Sequence, residues 1–152
     1  MSRASHDRSV SGEVAAEALS TIPDAVPGGA AALVAGHHEV IQTDLADLGA
    51  NVSVWERFAF DGHVATPWPT LGPFRLAVAR LPKGKDAFRT LIQALAHRLT
   101  PDGELWVHGA NDEGIKSAGK VLSERFTEVE SLLTKRHCRV WRARGLEEVP
   151  PA

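Results

Sequence analysis

The segment Gly109-Ala110-Asn111-Asp112-Glu113-Gly114-Ile115-Lys116-Ser117 misses by one residue the phosphate loop G-x-x-x-x-G-K-[ST], in which backbone N–H groups and a lysine hold a nucleotide's phosphates. The inserted Ile115 turns Lys116 and Ser117 about 100° around the helix that follows. Asp112 and Glu113 add negative charge where phosphates would sit. The segment therefore reads as a strand-to-helix turn with Asn111 or Asp112 as the helix N-cap. Lys116 and Ser117 remain able to meet a single backbone phosphate.

The other chemistry-bearing residues are scattered. Gly36-His37-His38-Glu39 has one glycine where nucleotide-binding turns use two or three. Its adjacent histidines point in different directions on a helix, so they share no metal, and they read as a solvated helix start. Glu56 falls near a strand end, where a carboxylate accepts hydrogen bonds from ribose hydroxyls in many nucleotide-binding folds. Pro82-Lys83-Gly84-Lys85 offers two lysines and no general base. Lys135, Arg136, His137, Arg139, Arg142 and Arg144 crowd around Trp141, a composition suited to phosphate contact and base stacking. A charged edge strand would have the same composition. Cys138 stands beside His137, but neighbours on a strand face opposite sides, so they form no reactive thiolate pair.

These residues must be positioned by one domain, because the chain has 152 residues and a domain takes roughly 150. Hydrophobic residues make up 43% and charged residues 24%, which excludes disordered and collagen-like chains. Lysine and arginine number 17 against 19 acidic residues, a net charge of −2, so any basic surface is local. Cys138 is the single cysteine, which excludes an internal disulfide and points to the cytoplasm. No apolar run approaches the roughly 20 residues that cross a bilayer, and no membrane partner is expected.

The apolar spacing predicts a helix over 12–22, a strand over 31–35, a helix over 40–48 and a strand over 52–58. Residues 59–73 are rich in Gly and Pro and read as a loop. A strand over 74–81 follows. Next comes a helix capped by Asp86, with Phe88, Leu91, Ile92, Leu95 and Leu99 on one face. Pro101-Asp102-Gly103 reads as a turn, 104–108 as a strand, and Ile115, Ala118, Val121, Leu122 and Phe126 as another helix face. The runs 129–134 and 137–143, separated by Lys135-Arg136, predict a closing antiparallel hairpin. Residues 1–11 form a disordered lead-in, 12–144 the domain and 145–152 a tail or truncated linker. Strands alternating with helices give an α/β architecture, a mostly parallel sheet with helices on both faces.

Several short motifs together carry a family resemblance. Leu81-Pro82-Lys83-Gly84-Lys85, Leu95-Ala96-His97-Arg98-Leu99, Pro101-Asp102-Gly103-Glu104-Leu105-Trp106-Val107, Asn111-Asp112-Glu113-Gly114-Ile115-Lys116-Ser117 and Arg136-His137-Cys138 resemble the N-terminal domain of the RsmC/RlmG group of ribosomal RNA guanine-N2 methyltransferases. The resemblance is closest over 74–144 and only topological over 31–73. It implies a Rossmann-like class I methyltransferase fold in a degenerate half, with S-adenosylmethionine and catalysis in a partner half. This chain has no acidic-x-Gly-x-Gly turn after its first strand. Arg80-Leu81-Pro82-Lys83 stands where an active amino-methylase of this type carries Asn-Pro-Pro-Phe/Tyr. The expectation is a domain with no catalytic residues of its own and no cofactor, engaging ribosomal RNA or a catalytic methyltransferase domain. Lys83, Lys85, Lys116, Lys135, Arg136, Arg139 and Arg142 are its candidate RNA contacts, and no metal is expected. Whether the chain is a remnant, a split subunit or a truncation stays open. The enzyme alternative is a small S-adenosylmethionine methyltransferase holding its cofactor through Gly36 and Glu56. A further alternative is a dimerising domain that exposes Trp68 and Trp141.

Overall fold

The computed structural model describes residues 10–22, 26, 28–35, 38–55 and 73–146. Helix α1 (Val10–Thr21) precedes β1 (Ala31–Ala35), α2 (Glu39–Asp47), β2 (Asn51–Trp55) and β3 (Phe74–Arg80). Then come α3 (Lys85–Ala96), β4 (Leu99–Ala110), α4 (Ala118–Leu122), β5 (Phe126–Lys135) and β6 (Cys138–Leu146). Two 3-10 turns, Asn111–Glu113 and Ile115–Ser117, join β4 to α4.

The six strands form one sheet in the order β2-β1-β3-β4-β6-β5. The first four are mutually parallel, and the closing hairpin pairs antiparallel with β4 through β6. The chain winds outward in one direction from β1 to β2 and in the other from β3, so the sheet has a switch point between β1 and β3. Ligands of open α/β sheets bind beyond the carboxyl ends of the strands at such a point.

Strands covered on both faces read as continuous apolar runs, as in Ala32-Leu33-Val34, all buried. One layer of core packs Phe88, Leu91 and Leu95 of α3 and Val121 of α4 against Leu105 and Val107. The other packs Val14 and Leu19 of α1 and Ile41 and Leu45 of α2 against Leu76, Val78, Trp106 and Val140. The i, i+3, i+4, i+7 spacing of Phe88, Leu91, Ile92 and Leu95 makes α3 amphipathic, with Arg89, Thr90 and Gln93 exposed.

Several expectations need correction. Helix α1 starts at Val10 rather than residue 12, because buried Ser11 hydrogen-bonds His108 across the sheet layer. Gly84 with φ of 87° occupies the N-cap of α3, and Asp86 lies inside its first turn. Leu99 starts β4, since α3 closes at Ala96. The Pro101-Asp102-Gly103 turn survives as a looped-out stretch inside β4: Leu99 pairs with Phe74 and Glu104 with Leu76. Gly103 fits there because a Cβ would come within 2.9 Å of Leu99 Cβ and Thr100 O. Phe126 opens β5 opposite Leu146 rather than extending a helix, and α4 spans only five residues. The hairpin turn is Arg136-His137, not Lys135-Arg136, and β6 runs on through Gly145 and Leu146.

Candidate nucleic-acid interface at the carboxyl end of the sheet

After β1 the described chain resumes at His38, at the start of α2. His38 is buried and caps α2, its Nδ1 accepting from the Ile41 N–H at 3.4 Å, while Gln42 Oε1 accepts from the His38 N–H at 2.9 Å. The His38 ring stands edge-on to His108 at 6.3 Å and presses against Gly12, where a Cβ would meet it at 2.1 Å. The solvated helix start expected for His38 is therefore a packed cap. The His38 and Ile41 N–H groups are thus both taken by side chains at the start of α2. Gly36, His37, Glu56 and Trp68 lie outside the described residues.

Beyond β3 and β4, Arg80 and Glu113 form an ion pair, Nη2 to Oε2 at 2.7 Å, bridging the two strand ends. Glu113 Oε1 also accepts from the Ala110 N–H at 2.9 Å. Beside this pair a cleft of about 220 Å³ opens between α3 and the 3-10 turns, lined by Leu81, Pro82, Lys85, Phe88, Ser117 and Val121. Lys85 lines its mouth, Lys83 stands in the loop before it, and Lys116 adjoins Ser117 on the other wall. All three are exposed and have no ion-pair partner among the described residues.

The near-phosphate loop is spent on itself. Gly114 N–H donates to Asn111 O and Ser117 N–H to Gly114 O, and Ser117 Oγ donates to the same Gly114 carbonyl. Ile115 is fully buried, which turns Lys116 outward. Ala110 and Gly114 hold the cap positions of the two 3-10 turns, instead of Asn111 or Asp112 capping an α-helix.

The hairpin's cations do not form one patch, because alternate residues of a strand face opposite sides of the sheet. Arg139 and Trp141 face α4. Arg139 Cζ lies 5.4 Å from the Trp141 ring, and the indole N–H donates to Ile115 O at 2.7 Å. Gly119 lets that indole seat, since a Cβ there would fall 2.7 Å from it, so Trp141 is packed rather than displayed. Arg142 faces α1 and is committed to Glu104, which is 1% exposed. Its Nε and Nη2 donate to the two Glu104 oxygens at 2.6 and 2.9 Å, while Trp106 Nε1 donates at 3.0 Å and Arg75 Nη1 at 3.3 Å. Burial alone would raise the Glu104 carboxyl, but these hydrogen bonds and the Arg142 charge hold it below its ordinary value. The sequence reading missed Glu104. Its signal was a lone acid beginning the buried run 104–108, with arginines on both neighbouring strands.

The hairpin tip returns to the carboxyl end because Cys138 pairs with Ala110. There Lys135 meets Glu17 of α1 at 2.8 Å and Arg136 lies 3.8 Å from Glu13, both as exposed pairs. Arg136 and His137 have φ of 55° and 60°, the left-handed backbone of a two-residue hairpin turn that normally selects Asn or Gly. The Cys138 thiol is buried, and that burial, with the Glu113 charge, pushes its pKa up, which disfavours the thiolate. Among the described residues no group of three acidic, histidine or cysteine side chains is placed to hold a metal, and no helix is long and apolar enough to cross a membrane.

Comparison with known proteins gives this geometry its kin. Ribosomal RNA small subunit methyltransferase C of Pseudomonas putida is 38% identical over 96 residues, covering 63% of this chain and 28% of that protein. Its counterpart in Hahella chejuensis is 26% identical over 115 residues, covering 68% and 34%. This chain thus spans about a third of the length of the curated relatives it matches. Among solved structures, the Thermus thermophilus 16S rRNA N2 G1207 methyltransferase, in complex with AdoMet and guanosine, superposes with a TM-score of 0.69 at 17% identity, over 91% of this chain and 44% of that one. The N-methyltransferase NodS of Bradyrhizobium japonicum superposes with a TM-score of 0.64 at 18% identity, over 93% and 99%. The fold is the Rossmann-like class I methyltransferase fold. Residues 31–152 match the family model described as the methyltransferase small domain N-terminal unit, and the chain belongs to that family.

Proposed function

We propose that this chain is the noncatalytic, methyltransferase-like unit of a cytoplasmic ribosomal RNA guanine-N2 methyltransferase, supporting RNA engagement and a catalytic partner domain. The observation that carries the reading is the Arg80–Glu113 ion pair across the ends of β3 and β4. It occupies the position where a catalytic loop of this fold would present its polar groups to a substrate amine. A guanidinium has no acceptor for a proton, and its pairing with Glu113 puts an arginine where an amide or carbonyl would orient an amine. The same end of the sheet is ringed by exposed Lys83, Lys85, Lys116, Lys135 and Arg136, a local cationic surface on a chain with net charge of −2. Such a surface favours a polyanion. Arg139 and Arg142 support the hairpin from its two faces.

The test has two arms. Titration with S-adenosylmethionine should leave the melting temperature unchanged, because only a ligand that binds the native state raises it. A dose-dependent rise would overturn the noncatalytic reading in favour of a small active methyltransferase using Gly36 and Glu56. In the second arm, structured ribosomal RNA should bind with an affinity that falls steeply with salt. The triple variant Lys83→Glu, Lys85→Glu, Lys116→Glu should lose most of that affinity. Salt-insensitive binding that survives the triple reversal would refute the RNA role.

A further inference from the structure

The cleft of about 220 Å³ beside the Arg80–Glu113 pair has two walls of different origin. One comes from the loop after β3 and the first turn of α3, with Leu81, Pro82 and Lys85, and the other from the 3-10 turn and α4, with Gly114, Ser117 and Val121. The cleft opens to solvent, since Leu81 and Pro82 are half-buried and Lys85, Gly114 and Ser117 are exposed. It is smaller than the roughly 300 to 1,000 Å³ of sites that enclose a whole small ligand, so it fits one flat ring and leaves the rest of the ring's bearer outside. Its rim carries charge of one sign. Lys83 and Lys85 stand on the α3 side and Lys116 beside Ser117 on the other, all exposed and without an ion-pair partner among the described residues. Glu113, the one acid among the lining residues, is committed to Arg80 Nη2 at 2.7 Å and to the Ala110 N–H at 2.9 Å. Asp86 and Asp112, exposed on the same elements, do not line the cleft.

An apolar slot with cations on both sides suits a flat ring carried on an anionic chain, and along an RNA strand each base stands between two phosphates. A base in a duplex cannot enter without leaving its pair and its stack, so the strand must be unpaired at this point. We propose that the cleft takes one base of an unpaired RNA segment, with the flanking phosphates on Lys83 and Lys85 at one side and on Lys116 at the other. The inference rests on the RNA reading above and adds to it the single-stranded state of the RNA and the seat of one base. The walls meet the faces of the ring rather than its hydrogen-bonding edge, so the contact tolerates any sequence.

Fluorescence anisotropy on the whole chain tests this with short single-stranded oligoadenylate and the same oligomer made abasic throughout, which carries the same charge. We expect the base-bearing oligomer to bind about tenfold more tightly, the size of one seated base. Ser117→Leu, which puts a branched side chain into the cleft without changing the charge, should erase that advantage and leave the abasic oligomer and an RNA duplex bound as before. Melting curves check that this variant folds; if it does not, the comparison of the two oligomers on the native chain decides alone. Lys116→Gln should weaken both oligomers equally and lower the salt slope by about 0.7, the value of one single-strand phosphate contact. Equal affinity for the two oligomers, or an advantage that survives in folded Ser117→Leu, would overturn the assignment while leaving the RNA reading intact. Absence of binding to both oligomers and to ribosomal RNA at low salt would instead remove the RNA reading, and the inference with it.

Discussion

Glu104→Gln is the substitution whose consequence follows most directly from the geometry. In the native protein the carboxylate accepts two hydrogen bonds from Arg142, one from Arg75 and one from Trp106. The glutamine amide still offers one oxygen to the indole, but its NH2 group would face a guanidinium, and Arg142 would keep a charge with its side chain only 12% exposed. The carboxylate of Glu130, 3.7 Å from Arg142 and 53% exposed, is too well solvated to substitute. Breaking a buried pair on one side costs about 3 to 5 kcal/mol. We expect that loss in urea denaturation at pH 7, with unchanged m-value. The double variant Glu104→Gln, Arg142→Met should lose less than the single one, since it leaves no buried charge unmatched. The pH dependence has a definite sign. The folded carboxyl titrates below its ordinary value of 4.5, so its contribution is complete above that pH and disappears as pH falls through the lower folded value. The gap between native protein and Glu104→Gln should therefore be full at neutral pH and narrow as pH falls below about 4.5. A loss below about 1 kcal/mol at pH 7, the level of an exposed pair, would refute the network's role.

Two further substitutions probe the other layer of core. Leu91→Ala empties a buried site on α3 and should cost about 2 to 5 kcal/mol by chemical denaturation; an unchanged midpoint would mean that this helix face is not packed. Gly119→Ala drives a methyl group to within 2.7 Å of the Trp141 indole and should cost about 1 to 3 kcal/mol, with altered tryptophan fluorescence as the ring leaves its seat over Ile115 O.

Much of the fold was legible because period and burial agreed. The 31–35 run was readable as a two-sided strand, and the stripe on α3 repeated at helical spacing. The misassignments share a cause: Leu99 and Phe126 each sit where a helix repeat expects an apolar residue. The sheet claims both, because the chain reverses immediately after α3 and after α4 and each residue fills the first inward position of the next strand. His38 looked like a surface residue because nothing local announces that Gly12 clears a space for its ring. The basic cluster was legible as composition but not as a surface. Alternation sends Arg139 and Arg142 to opposite faces, and the partner that buries Arg142 stands 38 residues away in sequence.

That division of the hairpin explains how one short segment serves two demands. Along β6 the arginines are spent inward: Arg142 neutralises Glu104 and Arg139 covers Trp141. The first of these contacts binds the antiparallel edge to β4 of the parallel part of the sheet. At the tip the cations turn outward, and their partners are exposed carboxylates of α1 whose pairings contribute little. A polyanion arriving at the carboxyl end can displace Glu13 and Glu17 from Arg136 and Lys135 at small cost. It cannot extract Arg142 without leaving Glu104 buried and charged. Charge reversal at the tip should therefore change binding and spare stability, whereas reversal along β6 unfolds the edge, and only the first kind of variant reports on function.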